Sequence, residues 1–266
     1  MSTLPVVLTI AGSDCSGGAG IQADIKTISA LKGYAASVIT AVTAQNTMGV
    51  QAVCPVPPDM VGAQITSVMD DLQPAAVKIG MVHNAAIVRT IAECLRKFPP
   101  RFLVYDPVMV STSGRRLMEE ETIRVIQEEL FPRCSLITPN LSEAALLLSH
   151  PVGDIAAMKQ AACELSDRFR CAVLVKGGHL SGNVMCDVLY ANGSLSQFEQ
   201  HRIASGNLHG TGCTLSSAIA TFAAHGSGLE EAVRQAKAYI GQAILHGKEL
   251  HIGHGNGPLC HFFREE

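Results

Sequence analysis

The chain has 266 residues, 47% hydrophobic and 16% charged, with a formal net charge of −3. That length can bury a sizeable core within one domain, and a balanced charge with no Lys/Arg run leaves no electrostatic footprint for nucleic acid or an anionic membrane. Nine cysteines, an odd number with no CxxC pair, argue against a disulfide framework and for a reducing compartment.

The opening MSTLPVVLTIAG lacks a basic n-region, and its apolar run is shorter than that of a signal peptide. No stretch approaches the roughly 18 apolar residues that a membrane helix needs. A cytoplasmic protein is expected. Short, near-continuous apolar runs then recur along the chain: PVVLTIAG, SVITAV, AAVKIGMV, FLVYDPVMV, CSLITPN and AVLVKGG. Runs of this kind suit strands covered on both faces, and therefore a parallel sheet. Between them lie helical patterns. GIQADIKTISALKGY places Ile21, Ile25, Ile28 and Leu31 on one face, with Gly33 as the expected stop. DMVGAQITSVMDDLQ is a second helical stretch, and further patterns cover 84–97, 119–130 and 155–169. After AVLVKGG, two strand-like runs flank Asn192-Gly193, a hairpin signal. The last third is helical, in GTGCTLSSAIATFAAHG and GLEEAVRQAKAYIGQAILHGKEL. No repeat, low-complexity tract or linker interrupts the chain, so residues 1–266 are expected to form a single α/β domain with crossover helices.

Ligands of such sheets bind beyond the carboxyl ends of the strands. The residues at those ends are chemically pointed. AGSDCSGGAG, starting with Gly12 after the first run, has four glycines within nine residues and leads into a helix whose amides can approach a ligand. It reads equally well as an ordinary turn. Asp24 lies in the first turns of that helix, where a carboxylate also suits the helix dipole. Gln45 ends the second run; an amide that donates and accepts fits a heteroaromatic ring, as it would fit a surface turn. Asp106 is a carboxylate at the end of a buried strand and needs a partner or a cation. Asn140 and Glu143 in TPNLSEA read as ligands or as an N-cap with its first turn. Lys176, followed by two glycines, is placed as a point charge facing phosphate would be.

The stretch HGTGCTLSS adds Gly210 and Gly212 at a helix start, a nest of amides that attracts anions. Cys213 sits there as well, and a helix start lowers a thiol's pKa, so its thiolate is expected to be accessible near neutrality. No GxxxxGK[ST] occurs, which excludes a P-loop, and no GxGxxG follows the first strand. The histidines and Cys260 near the C-terminus match no standard zinc spacing.

The series TIAGSDCSGGAGIQADIKT, TAQNTMGVQ, KIGMV, DPVMV, TPNLSEA, VKGGH, HGTGCTLSSAIA and GHGNGP resembles the hydroxymethylpyrimidine/phosphomethylpyrimidine kinases of thiamine biosynthesis, within the ribokinase-like superfamily. The resemblance spans about residues 6–258. It implies a three-layer α/β/α sandwich with a mainly parallel central sheet. It implies a kinase that uses ATP and Mg2+ to phosphorylate 4-amino-5-hydroxymethyl-2-methylpyrimidine and then its monophosphate. By the same resemblance GTGC is the anion hole, with Gly210 and Gly212 in it, and Cys213 stands where most of the superfamily carries an aspartate base. Gly12, Asp24, Gln45, Met81 and Val108 match the pyrimidine pocket. Asp106, Asn140, Glu143 and Lys176 match the phosphate and magnesium side, and a homodimer is implied. Cys15 and Thr43 depart from the residues usual in the family. Two rival readings compete: a pyridoxal kinase of the same subgroup, and a thiol hydrolase or acyltransferase using Cys213 with His209 as base.

Overall fold

The computed structural model describes residues 4–109, 118–178, 180 and 182–263. Val110 of DPVMV and His179 of VKGGH therefore lie outside the described residues. In chain order the elements are β1 (Val6–Asp14), α1 (Gly20–Ala30), β2 (Tyr34–Asn46), β3 (Gly49–Pro55), α2 (Pro58–Asp71), β4 (Ala76–Ile79) and α3 (Ala85–Lys97). They continue with β5 (Leu103–Tyr105), α4 (Glu120–Val125), β6 (Leu136–Ile137), α5 (Leu141–Leu148), α6 (Ile155–Phe169) and β7 (Ala172–Val175). The chain closes with β8 (Val184–Ala191), β9 (Ser194–His201), α7 (Thr211–Ala224) and α8 (Leu229–Gly247).

The strands form one nine-stranded sheet in the order β3-β2-β1-β4-β5-β6-β7-β8-β9. The six strands from β2 to β7 in that order are mutually parallel, while β3, β8 and β9 join antiparallel. The apolar runs are near-continuous because helices cover both faces. Leu8, Ile10, Val77, Ile79 and Tyr105 point into one core with residues of α2 to α6, whereas Val7, Ala76, Val104 and Leu174 point into the other with α1, α7 and α8. The period-2 alternation of a strand thus splits each run between two layers. This is the expected α/β/α sandwich.

Local sequence explains the elements. In α3 the stripe Ile87, Val88, Ile91, Ala92 and Leu95 is buried, Asn84 caps the start through a 3.0 Å bond from the Ile87 amide, and Arg96 and Lys97 suit the last turn. At the β8–β9 turn Asn192 and Gly193 both take positive φ, 51° and 78°, as a two-residue primed turn requires.

Three details depart from expectation. Helix α1 stops at Ala30, and Lys32, not Gly33, takes the left-handed conformation at φ 61°. Gly33 is small for a different reason: a Cβ there would stand 2.9 Å from Ile28 Cγ2. The helix read over 119–130 is α-helical only to Val125; it widens into a π turn at Ile126–Leu130 and a 3₁₀ turn at Phe131–Arg133. Pro132, which has no N–H to give, lies in the 3₁₀ turn where the helical stretch ends. Strand β3 was not anticipated, because every one of its residues is exposed and its apolar residues do not mark a buried face.

Candidate active site

Because β2, β1, β4, β5, β6 and β7 run parallel, their carboxyl ends reach one edge of the sheet. That edge receives Asp14, Gln45, Met81, Asp106, Asn140 and Lys176. After β1 the chain moves outward to β2 on one side and later returns to β4 on the other, the arrangement that opens a crevice at strand ends. The start of α7 packs into this edge.

On one side of the crevice Asp106 is buried, and its Oδ1 accepts from Thr138 Oγ1 at 2.9 Å and from Lys176 Nζ at 2.5 Å. Helix α7 abuts this pair, since a Cβ on Gly212 would lie 2.9 Å from Asp106 Oδ2 and 3.5 Å from Lys176 Nζ. Only glycine lets the helix start come so close. Gly210 precedes it at φ 85°, where a Cβ would collide with the Gly18 carbonyl. Among the described residues the N–H groups of Gly212 and Cys213 have no hydrogen-bond partner. Two open helix-start amides beside a lysine make an anion cradle.

Glu143 completes this side. Its Oε2 accepts from the Asn140 amide at 2.8 Å, its own amide bonds Asn140 Oδ1 at 2.9 Å, and its Oε1 accepts from the Met109 amide at 3.3 Å. Burial, and then the repulsion of Asp106, push its carboxyl up to about 7, although Lys176 and these amides pull the other way. Burial would lower Lys176, but Asp106 and Glu143 outweigh it and hold the ammonium charged. Among the described residues no three His, Cys, Asp or Glu side chains converge as a metal cluster. A magnesium ion fits only as that ion commonly binds, with one or two carboxylates and the rest of its shell from phosphate and water. Asp106 and Glu143 would be those carboxylates, and their mutual repulsion is what a cation would relieve.

The opposite side is formed around Gly12, Met81, Gln45 and Val108. Gly12 is buried, and a Cβ there would meet Met81 Cε at 2.7 Å. Gln45 is half-buried, its amide 3.1 Å from His209 Nε2 and 3.2 Å from Thr43 Oγ1. The Cys15 thiol donates to the Gln45 backbone carbonyl at 3.1 Å, and the Gln45 backbone N–H lies 3.3 Å from its sulfur. Val108 is half-buried two residues beyond Asp106, with its amide on the Asp106 carbonyl at 2.9 Å.

Asp24 is placed differently from the other expected pocket residues. It has no exposed surface, and its carboxylate is fully engaged: Lys78 Nζ at 2.9 and 2.7 Å, Thr9 Oγ1 at 2.5 Å and Ser217 Oγ at 2.7 Å. It therefore ties β1, β4, α1 and α7 together beneath the crevice.

The expectation for Cys213 is corrected. The half-buried thiol is pushed up to about 11, chiefly by burial and further by the Asp24 and Asp106 carboxylates, while Lys78 and the Gly20 amide pull it down without prevailing. The helix start does favour a thiolate, but burial of the thiol, with the Asp24 and Asp106 carboxylates adding to it, is stronger.

Three residues given no site role in the analysis of the sequence stand out here. Lys78 is the buried partner of Asp24, Asp14 organises the loop after β1, and His209, read only as a rival's base, contacts both Asp14 and Gln45. KIGMV contained the one useful signal, a lysine inside an apolar strand, which has to find a partner.

The phosphomethylpyrimidine kinase family model matches residues 14–260. The chain belongs to the phosphomethylpyrimidine kinase family. A hydroxymethylpyrimidine/phosphomethylpyrimidine kinase from Rhizobium meliloti is 50% identical over 260 residues, 97% of each chain. The crystal structure of a phosphomethylpyrimidine kinase from Clostridium difficile superimposes with a TM-score of 0.82 at 43% identity, covering 90% of this chain and 99% of that one. A pyridoxal kinase from Staphylococcus aureus, solved with AMP-PCP, gives a TM-score of 0.90 at 31% identity, covering 98% and 94%. Other relatives at 44–45% identity are described as bifunctional enzymes of thiamine biosynthesis, and the chain spans about half of their length, 48–53%.

Proposed function

We propose that this family member transfers the γ-phosphoryl group of ATP to the hydroxymethyl oxygen of 4-amino-5-hydroxymethyl-2-methylpyrimidine and then phosphorylates the monophosphate, supplying the diphosphate for thiamine biosynthesis. The observation that carries the reading is the anion cradle, in which the open amides of Gly212 and Cys213 belong to a helix start packed against Lys176 and Asp106. Chemistry of this kind is almost entirely positioning and charge stabilisation.

The residues divide the work. Gly210 sets the left-handed turn that aims the cradle, and the amides of Gly212 and Cys213 donate to the transferring phosphoryl oxygens. Lys176 neutralises the charge that develops as the bond to the leaving phosphate breaks. Asp106 and Glu143, with Asn140 fixing Glu143, would hold magnesium, which supplies further charge neutralisation on the phosphates. Gln45, Met81, Gly12 and Val108 seat the ring, and Asp24 supports the floor through Lys78. Cys213 takes the hydroxyl proton. Its raised pKa makes the thiolate a minority form near neutrality, so this step is favoured at higher pH.

A cytoplasmic single-domain homodimer is the proposed working form. One sheet is continuous through the chain, all nine cysteines are free thiols, and no helix among the described residues is long and apolar enough to cross a membrane. The β2–β3 ribbon exposes Val42, Met48, Val50 and Val53 at 50%, 70%, 51% and 38%, an apolar surface suited to a second copy. Sedimentation of the wild-type protein tests this, and a monomer at micromolar concentration rejects it. No partner in nucleic acid is proposed, given the balanced charge.

Pyridoxal kinase activity is the second reading, favoured by the fit to the Staphylococcus aureus enzyme. ADP release measured with each alcohol in turn separates the two: the pyrimidine is expected to give the higher kcat/KM, and a clear preference for pyridoxal overturns the assignment.

A further inference from the structure

His209 Nε2 stands 2.9 Å from Asp14 Oδ2 and 3.1 Å from the Gln45 amide nitrogen as placed. One nitrogen cannot serve both contacts as drawn. Burial alone would raise Asp14, but bonds from His209, Ser16 and Ala19 outweigh it and hold its carboxyl well below the usual carboxylate range. An ionised carboxylate only accepts, so Nε2 carries its hydrogen and donates to Asp14. It then has no lone pair left for a Gln45 N–H.

Oxygen and nitrogen of a glutamine amide are assigned from the hydrogen-bond network. Turned by 180°, the Gln45 oxygen faces Nε2–H and its NH2 faces Thr43 Oγ1, 3.2 Å away in place of the oxygen. Thr43 Oγ1 already donates to the Ser13 carbonyl at 2.9 Å, so it is free to accept. Each of these contacts then joins a donor to an acceptor, with the Nε2–H shared between Asp14 and the Gln45 oxygen. The amide keeps one oxygen lone pair and one N–H unused, side by side at its tip.

The imidazole is held in place by more than one contact. Gly18 lies so close to the ring that a Cβ there would overlap His209 Cδ2, and the Gly18 and Ala19 amides bond Asp14 at 3.2 and 2.8 Å. Asp14 and His209, 195 residues apart, thus clamp the loop after β1 to the start of α7. We propose that His209, pinned by Asp14, is a positioning residue that together with Thr43 fixes which way round the Gln45 amide faces the substrate ring. The site thereby selects a ring with an amino group beside an acceptor nitrogen over one with a carbonyl beside an N–H. This rests on the reading that Gln45 meets the pyrimidine.

The test compares kcat/KM for the 4-aminopyrimidine alcohol and for its 4-oxo analogue in wild type, His209→Leu, His209→Gln and Thr43→Val. Wild type is expected to reject the oxo ring. In His209→Leu and Thr43→Val the amide can turn, and the amino-to-oxo ratio should fall at least about tenfold. His209→Gln, whose amide N–H can still reach Asp14, should restore much of the ratio. A general loss of folding lowers both rates and leaves the ratio alone, so an unchanged ratio in both variants overturns the proposal. Nitrogen-15 NMR of wild type gives an independent check, since an Nε2 without a proton overturns it as well. If wild type turns over neither pyrimidine, the functional reading fails and this inference with it; turnover with an unchanged ratio sinks the inference alone.

Discussion

Glu143→Gln changes one atom and has a consequence that can be worked out from the site. The buried carboxyl of Glu143 is raised from 4.5 to about 7. A folded-state pKa above the unfolded one means that the folded state holds the proton more tightly. The resulting stability is fully present below about pH 4.5 and is lost as pH rises through about 7. At about 1.4 kcal/mol per pKa unit, the ionised Glu143 costs the fold at most ~3–4 kcal/mol above pH 7. Glutamine removes that cost but has one acceptor oxygen for the two amides of Asn140 and Met109, a loss of about 1 kcal/mol. The variant should therefore match or fall slightly below wild type at about pH 5 and exceed it by roughly 1–2 kcal/mol at about pH 8. Urea unfolding at the two pH values, without nucleotide or magnesium, reads this directly. A difference between the proteins that is the same at both pH values refutes the reasoning, because the carboxyl would then not be held protonated by its surroundings.

Other expectations follow from the same geometry. Cys213→Ala should cut turnover by roughly 10²–10⁴-fold with little change in ATP affinity, since the amide cradle is backbone. Wild-type turnover should climb with pH from about 6 to 9 because the thiol lies near 11, and the alanine variant should lose that slope; a flat wild-type profile would remove the thiolate from the rate. Gln45→Ala should weaken pyrimidine binding by ~1–3 kcal/mol and ATP binding far less, measured by calorimetry; equal losses would take Gln45 out of the pocket. Asp106→Asn should raise the magnesium concentration needed for half-maximal rate, and unchanged magnesium dependence with collapsed pyrimidine affinity would move Asp106 to the other half of the site.

The parallel strands were legible because burial on both faces leaves no polar alternation to confuse the pattern. Their ends could then be searched, and Gln45, Asp106, Asn140 and Lys176 all fall at that edge of the sheet. Strand β3 was not legible, since Gly49–Pro55 is an exposed edge with no buried face. Pairings across the fold were hidden for another reason. Asp14 with His209 and Asp24 with Ser217 are separated by 195 and 193 residues, and nothing local in either segment encodes the meeting. The pKa of Cys213 was misread on the same ground. A helix start is visible in the sequence, but the burial of the thiol and the nearness of Asp24 and Asp106 are products of the topology.

Two successive phosphoryl transfers to one pyrimidine are the activity most directly open to test. Purified protein, ATP, magnesium and 4-amino-5-hydroxymethyl-2-methylpyrimidine, followed by mass spectrometry over time, should show the monophosphate rising first and the diphosphate replacing it. Neither phosphate accumulating, while pyridoxal under the same conditions is phosphorylated, would contradict it.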